Sequence, residues 1–398
     1  MPALTLLDAS GAVSSVELAP QVGFARPTRP LESRVAYAAA HVVPLAWAEN
    51  TPGSPARIDW DATLGFRRHL YSWGLGVADA MDTAQRNMGL DPAATRELIA
   101  RSSDLAREVG GALVVGVNTD QREEAGIALG AVIDAYAEQL HFAEDHGAGP
   151  VLMASRHLAR AAASPDDYRR VYREVLARAS APVVLHWLGT AFDPELRGYF
   201  GSDDWQSAAE VLLDIIAENR DKVAGVKMSL LDAAAEVSVR ERLPEGVRMF
   251  TGDDFHYVEL IGGSGAEESA GSTGSDHSDA LLGAFAAIAP SASAAIQALD
   301  AGDRDRYREI LAPTEQLSRQ IFAAPTAFYK TGVAFLAWLN GHQPAFQLVG
   351  GLHSARSLVH LSRIVELANG CGALEHPEQA AERWHALLSV NGIAGAVA

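Results

Sequence analysis

Short, almost wholly apolar runs alternate along the chain with longer stretches whose apolar residues recur at helical spacing, and between residues 35 and 285 this alternation repeats eight times. The apolar runs at 35–43, 76–80, 112–117, 150–154, 182–186, 223–227, 247–251 and 280–285 predict strands buried on both faces, as in a parallel sheet. Helical spacing falls between them, at 60–72, 131–146, 205–219, 230–242 and 254–261. Two further helices begin sharply, at Asp91-Pro92 and at Ser164-Pro165, where an N-cap residue precedes a proline in the first turn. Eight such units predict a parallel sheet closed into a (β/α)8 TIM barrel over residues 34–290. An open doubly wound sheet is the competing architecture, but the G-x-G-x-x-G turn that would favour it does not follow the first strand.

The pattern changes at both ends. Residues 1–33 hold two short β-like runs, 4–7 and 13–18, around Ser10-Gly11 and then Pro20, Pro27 and Pro30, which predicts a hairpin and arm outside the barrel. Residues 291–398 read as a helical extension, and the Gly-, Ser- and acid-rich stretch 262–278 as a flexible loop on the barrel face away from the chemistry.

Composition narrows the function. With 398 residues, 48% of them hydrophobic, the chain can bury one large core or two modest ones. A formal charge of −18 argues against nucleic acid or an anionic membrane as partner, since both select clustered Lys and Arg. No apolar run is long enough to span a bilayer, and the first residues lack the basic and apolar segments of a signal peptide. The single Cys371 excludes an internal disulfide and suits a reducing compartment, so a soluble cytoplasmic protein is expected.

Only three lysines occur, Lys222, Lys227 and Lys330, and Lys227 closes the strand Val223-Ala224-Gly225-Val226-Lys227. In a β/α barrel the C-terminal strand ends form the active-site face, so this amine would point at substrate. Alternation puts Val223, Gly225 and Lys227 on one face, with room beneath the lysine at Gly225. A partly desolvated lysine has a lowered pKa, and its neutral amine can attack a carbonyl to form a Schiff base. The same pentapeptide also suits a surface lysine ending a strand.

The other strand ends would converge on the same mouth. They bring His41, Asp79, Asp82, Thr83, Asn118, Thr119, Ser155, Arg156, His157, His186, Trp187, Ser229, Asp253, Asp254 and His256. Asp82 and Thr83 can hold a substrate hydroxyl or carboxylate, or cap a helix. His157 or His186 can shuttle protons, or be satisfied structural histidines. Arg156 or Arg160 can pair with an anionic group, or be solvated. Asp253 and Asp254 can orient the lysine or bind a polyol, or cap the helix that follows. No Gly-rich cradle points to phosphate. Asp79, Asp82, His186, Asp253 and His256 are ligand types used by divalent metals, but without the tight spacing of a metal motif.

These motifs in this order resemble the dihydrodipicolinate synthase and N-acetylneuraminate lyase superfamily of class I, Schiff-base aldolases, and more closely a dihydrodipicolinate-synthase-like branch of it. Val223-Ala224-Gly225-Val226-Lys227 matches the family's G-I-K strand with its Schiff-base lysine, and Met249-Phe250-Thr251-Gly252-Asp253-Asp254 its S-G-D-D turn. The helical tail, with Tyr329-Lys330-Thr331-Gly332 and Leu374, falls where the family has a three-helix extension. The resemblance implies a Schiff-base role for Lys227, no cofactor, and a homo-oligomer, dimer or tetramer. Two departures stand out. The family's G-T-T-G-E turn, which holds a keto-acid carboxylate, is here Ala80-Met81-Asp82-Thr83-Ala84-Gln85, with only Thr83 in common. The family's P-Y-Y, whose tyrosine relays protons, is here Arg156-His157-Leu158. His157, or next His186, is therefore expected to take the relay, and the substrate to be a keto acid or a sugar-derived, uncharged carbonyl compound.

The expectation is a lyase, aldolase or dehydratase, with catalytic Lys227, His157 and His186 and substrate-binding Asp82, Thr83, Asn118, Arg156, Asp253 and Asp254. The alternatives are a metal-dependent sugar isomerase or hydrolase on the same barrel, and a barrel that binds carbohydrate without catalysis.

Overall fold

A computed structural model describes residues 3–263 and 275–393. Among these residues ten strands are formed: β1 (Ala3–Leu7), β2 (Val13–Glu17), β3 (Ala36–Ala39), β4 (Gly76–Asp79), β5 (Leu113–Val117), β6 (Gly149–Met153), β7 (Val183–Leu188), β8 (Val223–Ser229), β9 (Arg248–Thr251) and β10 (Asp279–Leu282). The last eight pair in parallel and close on themselves in the order β10-β3-β4-β5-β6-β7-β8-β9, a (β/α)8 TIM barrel. Helices α1 (Trp60–Ser72), α2 (Pro92–Val109), α3 (Leu129–Asp145), α4 (Arg156–Ala161), α5 (Pro165–Leu176), α6 (Trp205–Glu218), α7 (Ala233–Arg240) and α8 (Tyr257–Gly262) alternate with the strands. After β10 the chain is helical: α9 (Gly283–Ala287), α10 (Ala289–Asp300), α11 (Arg304–Ile321), α12 (Tyr329–Leu339), α13 (Leu358–Cys371) and α14 (Pro377–Val390). Among the described residues no helix is long and apolar enough to cross a membrane.

Local chemistry sets these bounds. Asp91 caps α2 by accepting from Ala94 N beside Pro92, and Gly110 closes it at φ +67°, a conformation that costs glycine little. The inward positions of the barrel pack as a core of their own, with Ala39, Ala78, Val114, Val151, Val184, Phe250 and Leu281 each from a different strand. The eighth strand contributes Gly225. A side chain there would begin 2.8 Å from the Phe250 ring and 2.7 Å from Arg248 O, so the neighbouring ring occupies the space that alternation leaves at this glycine. The expected room beneath the lysine is thus filled by Phe250.

Three strands differ in length from their apolar runs by two residues or more. The sheet releases the first run after Ala39, because the next backbone groups turn to α1: Thr63 Oγ1 accepts from Val43 N, and Arg67 donates to His41 O. β8 instead continues to Ser229, paired in register with β7 through His186–Lys227, Trp187–Met228 and Leu188–Ser229. Lys227 therefore lies two residues inside the strand rather than at its tip. The last run bends into α9 after Leu282, where Ala284 N donates to Asp254 Oδ1.

The hairpin β1–β2 packs on the extension. Thr5 binds His385 and Trp384, and Leu7 N donates to Ser362. The glycine- and serine-rich loop expected between α8 and β10 lies for the most part at 264–274, outside the described residues.

One buried pair locks the first barrel unit. Arg67 on α1 and Asp79 at the end of β4 are fully buried and bidentate, at 2.9 and 2.8 Å, and Asp79 also accepts from Ser102 Oγ and Ala80 N. Removing one partner leaves the other charge buried and unpaired. Arg67→Leu is expected to lower unfolding stability by about 3–5 kcal/mol in urea denaturation, and an effect below 1 kcal/mol would contradict this account.

Candidate active site

β8 carries Lys227 and Ser229 on its inward face, and β7 carries His186 opposite Lys227. All three are buried; His186 Nε2 and Ser229 Oγ lie 3.2 Å apart. The turn after β9 comes close above them. A side chain at Gly252 would start 2.1 Å from Ser229 Oγ, 2.7 Å from Met228 O and 2.9 Å from Lys227 Cε, so only glycine lets the two strands' ends approach this closely.

Charge in this neighbourhood is governed by desolvation. Burial lowers the Lys227 amine below the ordinary lysine range, opposed by the carboxylates of Asp82 and then Asp254. Burial likewise pushes Asp254 up to about 8, opposed by the hydrogen bond from Ala284 N and then by Lys227. Both effects favour the uncharged pair, a free amine beside a protonated acid. His186 is driven well below 6.5 by burial and then by Lys227, so it is a neutral imidazole, and its Nδ1 has no hydrogen-bond partner among the described residues. No hydrogen bond or ion pair commits Lys227 Nζ to a described residue.

The C-terminal extension supplies two groups, Tyr329 and Lys330, that the sequence reading named only as part of the helical tail and not as site residues. Tyr329, at the start of α12, has its hydroxyl 2.7 Å from Thr83 Oγ1, and Asp82 and Asp254 raise its pKa further after burial has done so. Those two carboxylates bear on Tyr329 and Lys227 alike, which puts the four groups in one neighbourhood. The Tyr329 ring stacks on Phe322 at 4.4 Å, and both rings lie over Gly283, where a side chain would begin 2.9 Å from Phe322 and 3.2 Å from Tyr329. Lys330 is buried and donates to Ala327 O and Met88 Sδ, both at 3.0 Å. Burial lowers it to about 8, against the pull of Asp82 and Asp193 and with the push of Arg156. The one signal for this pair was a Tyr-Lys dipeptide in an otherwise apolar helix.

The remaining candidates divide. Lys227, His186, Asp82, Thr83 and Asp254 come together. Asn118, Arg156 and His157 instead line a separate cleft of about 220 Å³, whose lining does not include Lys227. His157 has both ring nitrogens committed, Nδ1 to Thr119 Oγ1 and Nε2 to Glu124 O, each at 2.8 Å, so it is held as a structural group away from Lys227. Asn118 Oδ1 accepts from Thr119 N, and Arg156 pairs with Asp193 and Glu195. Asp253 caps the turn before α8, accepting from Phe255 N and His256 N and facing His256 Nδ1 at 2.9 Å. The five strand-end metal candidates are not gathered into one group; Asp79 is bound to Arg67.

The family described as "Protein of unknown function (DUF993)" matches residues 4–393. No curated protein matches the chain. Solved structures match in fold. A dihydrodipicolinate synthase from Aquifex aeolicus is 12% identical with a TM-score of 0.62, covering 85% of this chain and 97% of its own. YagE, an E. coli K12 prophage protein of the dihydrodipicolinic acid synthase family in complex with pyruvate, is 13% identical with a TM-score of 0.63, covering 87% of this chain and 99% of its own. A putative dihydrodipicolinate synthetase from Pseudomonas aeruginosa is 17% identical with a TM-score of 0.57, covering 83% of this chain and 99% of its own. The chain shares their fold.

The close approach at Gly252 is testable. Gly252→Ala forces a methyl group against Ser229 and the Met228 carbonyl, and is expected to lower stability by about 1–3 kcal/mol in urea denaturation. A wild-type midpoint would show that the turn does not pack on β8 as described.

Proposed function

The chain belongs to the family described as "Protein of unknown function (DUF993)", and we propose for it the activity of a lyase, aldolase or dehydratase, that forms a Schiff base between Lys227 and a carbonyl substrate. The observation that carries this reading is a buried amine of lowered pKa on the inward face of β8, beside a carboxyl group raised to about 8. A surface lysine ending a strand would have neither.

The steps follow from those protonation states. The Lys227 lone pair attacks the carbonyl carbon, and one amine proton passes to the former carbonyl oxygen, giving a carbinolamine. Asp254 then gives its proton to that hydroxyl, water leaves, and a protonated imine remains beside an Asp254 carboxylate. Electrons from a breaking C–C or C–H bond flow into the imine to give an enamine. Tyr329, joined to Thr83, is the group we assign to proton relay, in place of His157. Its buried phenol stays protonated over the working pH range and can pass protons through the Thr83 hydroxyl. Neutral His186 lines the same wall and can accept a hydrogen bond from the reacting amine.

Lys330 bears on the substrate class. Two of its three donors are used internally, and an ammonium with one donor left favours a substrate carrying a carboxylate, hence a keto acid over an uncharged sugar.

Borohydride trapping tests the reading. Protein incubated with a panel of 2-keto acids and keto sugars and then reduced is expected to carry an adduct on the Lys227 peptide, absent in Lys227→Ala. No adduct on that peptide across the panel, from folded protein, would sink it. With a trapped substrate in hand, turnover is expected to fall as pH rises through about 8, because the acid form of Asp254 is lost there. Asp254→Asn should remove that limb, and Tyr329→Phe should slow turnover on the order of 100-fold while leaving trapping intact. A pH limb unchanged in Asp254→Asn would assign it elsewhere.

A further inference from the structure

Away from Lys227, three side chains from distant parts of the sequence converge where α1 meets the extension. His69 lies in the last turn of α1, His342 follows α12, and Glu375 precedes α14. Both imidazoles turn Nε2 toward the same carboxylate oxygen, His342 at 2.6 Å and His69 at 3.6 Å from Glu375 Oε1. One ligand atom from each residue falls within 4.8 Å of the other two, the one such group among the described residues. We propose that His69, His342 and Glu375 bind a divalent transition metal of the zinc class, which ties the first barrel helix to the C-terminal extension.

The donor set fits that metal. Two imidazole nitrogens and a carboxylate oxygen are the ligands of three-residue zinc sites that leave a fourth position for water. Ligand bonds of about 2.0–2.2 Å in a tetrahedron set donor atoms roughly 3.3 Å apart. The two nitrogen–oxygen separations here bracket that value.

The ligands are also held in place. Phe66 stacks against His69 at 6.0 Å and lies against His342 at 5.6 Å, which fixes both rings. Asn340 joins the two loops, donating from Nδ2 to Ala373 O and accepting at Oδ1 from Glu375 N. His342 lines a cleft of about 850 Å³ that gives solvent a route to the group. Such support around the ligands is what separates a binding site from a chance encounter of side chains.

Zinc binding by the full chain tests the proposal. Protein stripped with chelator, loaded with zinc chloride and desalted is expected to retain one zinc per chain by elemental analysis, and to melt at a higher temperature with zinc than without. His69→Ala and Glu375→Gln should lose both effects. Wild-type protein that retains no zinc, or variants that retain as much as wild type, would overturn it. Should either variant fail to fold, cobalt in the wild-type chain decides: intense visible bands of four-coordinate nitrogen–oxygen ligation support the site, and only the weak spectrum of the six-coordinate aqua ion refutes it.

Discussion

An ammonium ion is poorly tolerated inside packed side chains, and the surroundings of Lys227 follow from that constraint. Solvation lost on burial has to be replaced by charge or avoided by giving up the proton. Lys227 forms no ion pair among the described residues. Asp82 and Asp254 stand near enough to be felt by the amine, but Asp254 is itself buried and held toward its acid form. Burial thus biases both the Lys227 amine and the Asp254 carboxyl toward their uncharged states, the bias that the proposed imine chemistry calls for. Gly252 makes this compact arrangement sterically feasible, and Phe250 fills the barrel beneath it.

The C-terminal extension acts as the roof of this site. Tyr329 reaches Thr83 from α12, and the missing side chain at Gly283 leaves room for the edges of the stacked Phe322 and Tyr329 rings. Gln85 anchors the same loop to the extension through paired hydrogen bonds with Val349 N and O. The turn after β4 is therefore shaped by contacts with residues far along the chain, and it presents the Thr83 hydroxyl to the Tyr329 hydroxyl.

The fold was legible because buried parallel strands declare themselves as apolar runs of the right length and spacing. Lys227 was legible for the same reason, being one polar group at the end of such a run. His186 was named as a strand-end group, and its pairing with Lys227 follows from two adjacent parallel strands in register. What a single sequence cannot convey is the commitment of each side chain. His157 ranked ahead of His186, and Asp253 level with Asp254, yet their polar atoms are consumed by Thr119 and Glu124 and by the turn at Phe255 and His256. Contacts across great sequence distance were equally hidden, as with Tyr329 on Thr83 and the convergence of His69, His342 and Glu375.

Burial is what lowers the Lys227 amine below the ordinary lysine range. With only three lysines in the chain, their amines can be labelled by reductive ¹³C-methylation and titrated individually by NMR, with Lys→Arg variants giving the assignments. The account predicts that the Lys227 resonance titrates well below the ordinary lysine value of about 10.4, and that Asp254→Asn lowers it further by removing an anion that favours the charged form. A Lys227 resonance titrating at the ordinary value would contradict it.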